Sequence, residues 1–327
     1  MMILILGGFI MMQVNAPTRE VRSWTTDSRR WARYVPRDGD IVIATAPKCG
    51  TTWMQQIVTL LVFQTTEPRE IHNISPWIDM RVPPLEKVME TIEAQTHRRF
   101  LKSHLPFDAM PVYDGVRYIH VARDGRDAFM SWHNHASNYS EFSVNVQSAA
   151  GMADETIARP LPRPAATPHD YFDVWMTEGP QAALVDDSPA MRFFDIERSY
   201  WEARRAPNLL LVHYNDLKAD RDGEMRRIAA FLGIDVPATL WPELVAAADF
   251  DFMRRNGAAL LPRAAVSWDK GHERFLNKGI NGRWQSALTP EDIARYEARA
   301  AREFSPNLAR WIENGRLVAG DPCATDD

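Results

Sequence analysis

The chain has 327 residues, 45% of them hydrophobic and 25% charged, enough to bury one large core and too apolar for a disordered or fibrous protein. Its formal net charge of −5 argues against a general nucleic-acid or anionic-membrane binder, so any anion it holds needs a local pocket. Two cysteines, Cys49 and Cys323, exclude a disulfide framework and make a reducing cytoplasm the default compartment.

In chain order, Met1 to Met12 comes first. The stretch is apolar but lacks a basic leader and a small-residue cleavage site, and it is too short to span a bilayer. The expectation is a tail over residues 1–17, with Met11 or Met12 as an alternative start, and one folded domain over 18–327. Asp40 to Ala46 is a short β-branched run, the pattern of a buried parallel strand. Pro47 to Gly50 breaks it, and Trp53, Met54, Ile57, Leu60 and Leu61 then repeat at helical spacing from Thr51 onward. Arg99–Lys102 and Val116–Ala122 read as further strands, the second running into a helix across Asp127–His135. Asn208–His213 is a fourth strand, followed by an amphipathic helix with Met225, Ile228, Ala229 and Leu232 on one face. Such alternation predicts an α/β fold: a single domain with a central, mostly parallel sheet flanked by helices. Two irregular stretches interrupt it, near 137–169 and 254–282, and both read as lid-like excursions.

The strand–loop–helix at Ala46-Pro-Lys-Cys-Gly-Thr-Thr-Trp53 aims backbone N–H groups and a positive helix end at one spot, which suits a phosphate or sulfate. Spacing alone is equally met by an ordinary βα turn with a threonine cap. The choice of lysine tips the reading. The chain has 32 Arg against six Lys, yet Lys48 and Lys102 each stand at a strand end, where a compact ammonium fits against a single oxygen. Other anion loops fit less well. A Walker A loop places its Lys after the second Gly, whereas Lys48 precedes Gly50, and a cysteine phosphatase needs an Arg where Gln55 stands. Cys49 reads as a small loop residue whose pKa a helix N-terminus could lower.

Pro47-Lys-Cys-Gly-Thr-Thr-Trp53 resembles the 5′-phosphosulfate loop of the cytosolic-type sulfotransferases, which use 3′-phosphoadenosine 5′-phosphosulfate (PAPS). The family pattern is P-K-[SA]-G-T-T-W, and only Cys49 departs from it. Lys102-Ser-His-Leu-Pro106 is similar to the family's K-[TS]-H-L-P. Val121 to Ser131 is similar to its 3′-phosphate segment, an Arg closing a strand with a Ser eight residues on. Phe275-Leu-Asn-Lys-Gly-Ile-Asn-Gly-Arg-Trp284 resembles R-K-G-x-x-G-D-W. These blocks occur in family order from Asp40 to Trp284, and the resemblance implies a P-loop-kinase-like architecture and a bacterial member of the family.

The resemblance implies roles residue by residue. His104 is the general base, Lys48 faces the bridging oxygen of the departing 5′-phosphate, and Lys102 faces a sulfuryl oxygen. Lys48, Cys49, Gly50, Thr51, Thr52 and Trp53 form the phosphosulfate loop, with Trp53 against adenine. Arg123 and Ser131 hold the 3′-phosphate, joined by Asn277, Lys278 and Gly279; Tyr214, Phe250 and Met253 flank the adenine. Ala248 replaces the family's usual Thr, so one adenine contact is missing. Asn277 replaces an Arg and Arg283 an Asp, which leaves the 3′-phosphate pocket either one cation weaker or served by Arg283. The product would be 3′,5′-phosphoadenosine (PAP), and the chemistry requires no metal.

The family's animal-type dimer motif is broken at Gln285, Pro290 and Ala294, so the oligomeric state stays open. The expected acceptor is a small molecule presenting a hydroxyl to an apolar or aromatic wall, with Trp77, Phe107 and Phe129 as wall candidates and Pro76, Trp132, Tyr139 and Phe142 nearby. His133 and His135, two apart on a helix, do not make a metal site. No nucleic acid and no membrane span is expected. The competing class is a P-loop-related nucleotide kinase or nucleotide-binding module, which would need Mg²⁺ where sulfuryl transfer does not.

Overall fold

The computed structural model describes residues 3–6, 9–178 and 193–327. Among the described residues, seven strands fall in two sheets. Strands β1 (Ile3–Leu6), β2 (Phe9–Asn15) and β5 (Val112–Tyr113) form the smaller one; β3 (Ile41–Ala44), β4 (Phe100–Ser103), β6 (Arg117–Ala122) and β7 (Leu209–His213) form the larger, in the order β4-β3-β6-β7. All three pairings of the larger sheet are parallel, with Ile43 opposite Lys102 and Ala44 opposite both Ser103 and His120. Helix α1 (Thr51–Phe63) follows β3, and helix α2 (Gly125–Ala136) follows β6.

Alternation along the strands sends side chains to two cores. Ile41 and Ile43 of β3, with Ile119 and Val121 of β6, pack against Met54, Ile57 and Leu61 of α1 and against Met225 and Ile228. Val42, Ala44, Tyr118 and Ala122 face the other way, towards Phe129 of α2 and the aromatic group Phe172, Trp175 and Phe193. Every side chain of β3 is buried, as a central strand covered on both faces requires. Because β3 sends one crossover to β4 and later chain to β6 on its opposite side, the carboxyl ends of these strands open a crevice at a switch point, where open α/β sheets bind ligands.

Two expectations are corrected. Residues 1–17 are not simply a tail, since β1 pairs antiparallel with β2 and β2 reaches β5 at Gln13–Tyr113 and Asn15–Val112. In the sequence these strands are two apolar runs on either side of Gly7-Gly8, a pattern that suits a hairpin as well as a single apolar stretch. The region 137–169 is likewise ordered around helix α3 (Glu141–Met152), capped by the Ser140 hydroxyl accepting from the Ser143 N–H. Small residues hid its helical period. Its contacts are fixed at a distance in sequence: Trp24 packs with Val144, Ile157 and Leu161 and donates its indole N–H to the Arg159 carbonyl at 2.9 Å. The second excursion breaks into three short helices at 257–260, 264–267 and 271–275, and the Ser140 and Ser143 hydroxyls tie α3 to it through the Val266 and Ser267 carbonyls. Among the described residues no helix is long and apolar enough to cross a membrane.

Candidate active site

The loop after β3 turns through two left-handed residues, Lys48 (φ 71°) and Gly50 (φ 111°). Glycine is required at the second. A Cβ at Gly50 would lie 3.0 Å from the Tyr214 ring, in a backbone conformation that L side chains rarely adopt. Helix α1 begins at Thr51 with no side-chain cap on its first amides, and the Thr51 hydroxyl meets that of Thr45 at 2.6 Å. An uncapped first turn leaves N–H groups to serve an anion.

These elements open onto one cavity of about 280 Å³ that lines up most of the residues singled out from sequence. Lys48, Gly50, Thr51, Thr52 and Trp53 supply one wall, and Lys102 and His104 another. Arg123, Ser131, Asn277, Lys278, Gly279 and Arg283 line the same cavity. Tyr214, Phe250 and Met253 stand with Trp53, whose ring lies edge-on to Tyr214 with centroids 5.2 Å apart. The Trp53 indole N–H donates to the Ala248 carbonyl at 2.7 Å, so the position where the family's Thr is absent orients the tryptophan through its backbone.

Burial and like charges set the electrostatics. Lys48 is pushed down to about 7, by desolvation first and then by Lys102 and Arg123. Lys102 is pushed down to about 8 by desolvation, opposed by the negative charge of Asp79. Desolvation, reinforced by Lys102, holds His104 well below the ordinary imidazole value. Its Nδ1 lies 2.8 Å from the Thr45 carbonyl oxygen, which can only accept. The Nδ1 therefore carries the proton, and Nε2 keeps its lone pair.

Arg123 is held from three sides: one guanidinium nitrogen donates to the Lys48 carbonyl (3.2 Å), another to the Asn281 side-chain oxygen (2.7 Å), and the group lies 4.1 Å from the Tyr214 ring centroid. Among the described residues, its buried Nε has no hydrogen-bond partner. The buried ammonium groups of Lys48 and Lys102, the Arg123 Nε and the uncapped start of α1 together fit a nucleotide with phosphates at two places.

Three sequence candidates do not reach the cavity with their side chains. The Cys49 thiol turns into the core, 4.0 Å from the Glu197 carboxyl, and burial raises its pKa rather than lowering it. Phe107 packs edge-on against Tyr118 and Tyr200, and Phe129 against Phe172 and Trp175. Both belong to the core, because the cavity side of α2 is taken by Met130, Ser131 and His135. Of the wall candidates Trp77 lines the cavity, as do Trp132 and Tyr139, whereas Phe142 is exposed.

Sequence reasoning missed His135, Asn281 and Trp268. His133 and His135 diverge: His133 Nε2 pairs with the Ala165 carbonyl, while His135 Nδ1 lies 3.1 Å from Lys48 Nζ inside a ring of Tyr139, Trp268 and Phe275. Asn281 bridges Arg123 to Asn215. One signal pointed to it, the Gly-Ile-Asn-Gly turn inside a motif already marked as cofactor-binding.

The sulfotransferase domain family matches residues 38–307. The chain is 34% identical over 311 residues to a glycolipid sulfotransferase of Mycobacterium tuberculosis, covering 90% of this chain and 94% of that one. It is 25% identical over 292 residues to sulfotransferase 1 family member D1 of Mus musculus, covering 87% of each. In fold it is similar to retinol dehydratase, solved in complex with androsterone and PAP, with a TM-score of 0.64 at 20% identity over 85% of this chain and 86% of the other. The family match decides against the nucleotide kinase class: the chain belongs to the sulfotransferase family and is a PAPS-dependent sulfotransferase.

Proposed function

We propose that this cavity binds PAPS beside a hydroxyl-bearing, predominantly apolar acceptor, and that His104 is the general base of the transfer. The observation that carries the base assignment is the hydrogen bond from His104 Nδ1 to the Thr45 carbonyl at 2.8 Å, which leaves Nε2 basic in a cavity shared with Lys48 and Lys102. PAPS supplies the sulfuryl group and departs as PAP. Arg123, Ser131, Lys278 and Arg283, which line the cavity, hold the 3′-phosphate in this reading, and the first turn of α1 with Lys48 holds the 5′-phosphosulfate. His104 Nε2 takes the acceptor's hydroxyl proton as the oxygen bonds to sulfur and the sulfur–oxygen bond to the 5′-phosphate breaks. Lys48 neutralises the charge left on that phosphate oxygen, and Lys102 the charge on the sulfuryl oxygens. Burial first, and then the charges of Lys102 and Lys48, depress His104; an anion beside the two lysines offsets the second effect.

The acceptor wall is aromatic, with Trp77, Trp132, Tyr139 and Trp268, and Met80 and Met130 fill between. Such walls suit phenols and apolar alcohols. A glycolipid is the second reading, favoured by the name of the 34% identical relative and by Phe142 and Val266, which are exposed on the neighbouring elements that close the cavity. Turnover of purified wild type and His104→Ala with PAPS, in EDTA, against phenols, sterol-like alcohols and micellar glycolipids tests both statements. Loss of turnover with PAP binding retained supports the base, and full activity in His104→Ala defeats it.

A further inference from the structure

We infer that Asp79 is a positioning residue for the transfer step, fixing Trp77 so that one indole braces both Lys102 and the His104 ring. The inference rests on the reading of His104 as the base.

Asp79 is fully buried and does not line the cavity, and its hydrogen-bond partners are neutral donors. The Trp31 indole N–H donates to Oδ1 at 3.1 Å. On the other oxygen, Oδ2, the Trp77 indole N–H donates at 2.6 Å and the His104 backbone N–H at 3.4 Å, and the Ser103 hydroxyl also bonds to the carboxyl. A carboxylate without a paired cation is costly to bury unless such donors saturate it, so its presence calls for a reason.

Holding the chain path is not that reason. The segment carrying Asp79 is already tied by backbone bonds: Lys102 N–H donates to the Pro76 carbonyl at 2.9 Å, and Asp27 N–H to the carbonyl of Asp79 itself at 2.9 Å. What the side chain adds is the orientation of Trp77. Held by its N–H, that indole presents its face to Lys102, with Nζ 4.1 Å from the ring centroid, and stands perpendicular to the His104 ring, with centroids 4.8 Å apart at 87°. Base, sulfuryl-facing lysine and acceptor wall thus share one anchor. The same negative charge favours the protonated form of Lys102 against the burial that lowers its pKa.

The test is steady-state kinetics with PAP calorimetry on Asp79→Asn, Trp77→Phe, their combination and Trp31→Phe. Asp79→Asn should lower kcat about 10- to 100-fold, the effect of a misplaced reacting group, with PAP affinity retained. It should also move the alkaline limb of kcat/KM to lower pH, since Lys102 loses its supporting charge. Trp77→Phe keeps a ring beside Lys102 but drops the anchored N–H, so its loss should not add to that of Asp79→Asn. Trp31→Phe, on the opposite carboxyl oxygen, should lower thermal stability and leave the pH profile in place. Folded, PAP-binding Asp79→Asn with wild-type kcat and an unmoved alkaline limb overturns the proposal. Should Asp79→Asn not fold, unchanged kcat in Trp77→Phe overturns it. His104→Ala is measured alongside: its activity would defeat the base reading, whereas a dead His104→Ala beside an active Asp79→Asn defeats only the role of Asp79.

Discussion

The Nζ of Lys48 lies 3.1 Å from Nδ1 of His135 and 4.6 Å from the centroid of Phe275. Both contacts favour the cation, but burial outweighs them, with the charges of Lys102 and Arg123 adding to it, and Lys48 is pushed down to about 7. The pH dependence follows with a definite sign. In the free enzyme His104 is already neutral at its depressed pKa, so the acid limb of kcat/KM lies below pH 6.5. The alkaline limb begins near pH 7–8, where Lys48 and then Lys102 lose the protons needed to meet an anion. PAP affinity should therefore fall between pH 7 and 9 while the fold persists. Calorimetry across that range checks it, and an affinity flat to pH 9 contradicts the lysine assignment.

Replacing Lys48 by Met should nearly abolish turnover, because the departing phosphate oxygen loses its cation. Loss of a single preorganised donor at a developing charge costs about 3–4 kcal/mol, or two to three orders of magnitude in kcat. The left-handed backbone at Lys48 makes Lys48→Gly a useful control: it relieves φ and removes the charge together. Activity returning in Lys48→Gly would show that loop shape, not charge, limits the reaction.

Much of this site was legible before any coordinates. The strands that lead to Lys48, Lys102 and Arg123 are short apolar runs, β-branched in β3 and β6, and their sequence bounds lie within a few residues of the observed ones because a doubly covered strand tolerates little else. Side-chain direction within a helix was less legible. On α2, Phe129 and Met130 are both apolar neighbours in sequence, yet one packs on Phe172 and the other lines the cavity, a choice made by the residues brought opposite from 168–178. His135 illustrates the other limit. Its neighbours Trp268 and Phe275 are more than a hundred residues away, and no local period encodes that meeting.

That distinction between Phe129 and Trp77 has a measurable consequence. Phe129→Ala empties a fully buried site and should cost about 3–5 kcal/mol of stability while leaving acceptor preference unchanged. Trp77→Ala should alter KM for acceptors and the order in which they are preferred. Urea unfolding beside an acceptor panel separates the two, and a changed acceptor spectrum in folded Phe129→Ala would return that ring to the wall.

The 3′-phosphate should dominate nucleotide discrimination. Arg123 is preset by the Lys48 carbonyl, Asn281 and Tyr214, and its buried Nε is left for a ligand oxygen. PAP should raise the thermal midpoint well above the shift given by 5′-AMP at equal concentration, by mass action on the folded state. Arg123→Ala should bring the two shifts together; equal shifts in the wild type would place the 3′-phosphate elsewhere.

The last prediction concerns Arg283 and Asn277, which stand where the family carries an Asp and an Arg. Both line the cavity, with the turn Gly279–Gly282 between them. That turn is fixed rather than free. The Gly282 N–H donates to Asp127 Oδ1 at 2.8 Å, Lys218 Nζ donates to the Gly279 carbonyl at 2.9 Å, and Asn281 reaches Arg123. If the fixed turn presents Arg283 to the same phosphate as Arg123, it supplies the missing cation from the far side of the turn. Arg283→Ala should weaken PAP binding by about 1.5–3 kcal/mol, the contribution of a charged hydrogen bond. Asn277→Arg should restore much of that loss in the double variant, yet add less than the full amount to the wild type, where two guanidinium groups would crowd one phosphate. Calorimetry on the four proteins separates the cases. An unchanged affinity in Arg283→Ala would mean that Arg123 and Lys278 serve the 3′-phosphate without it.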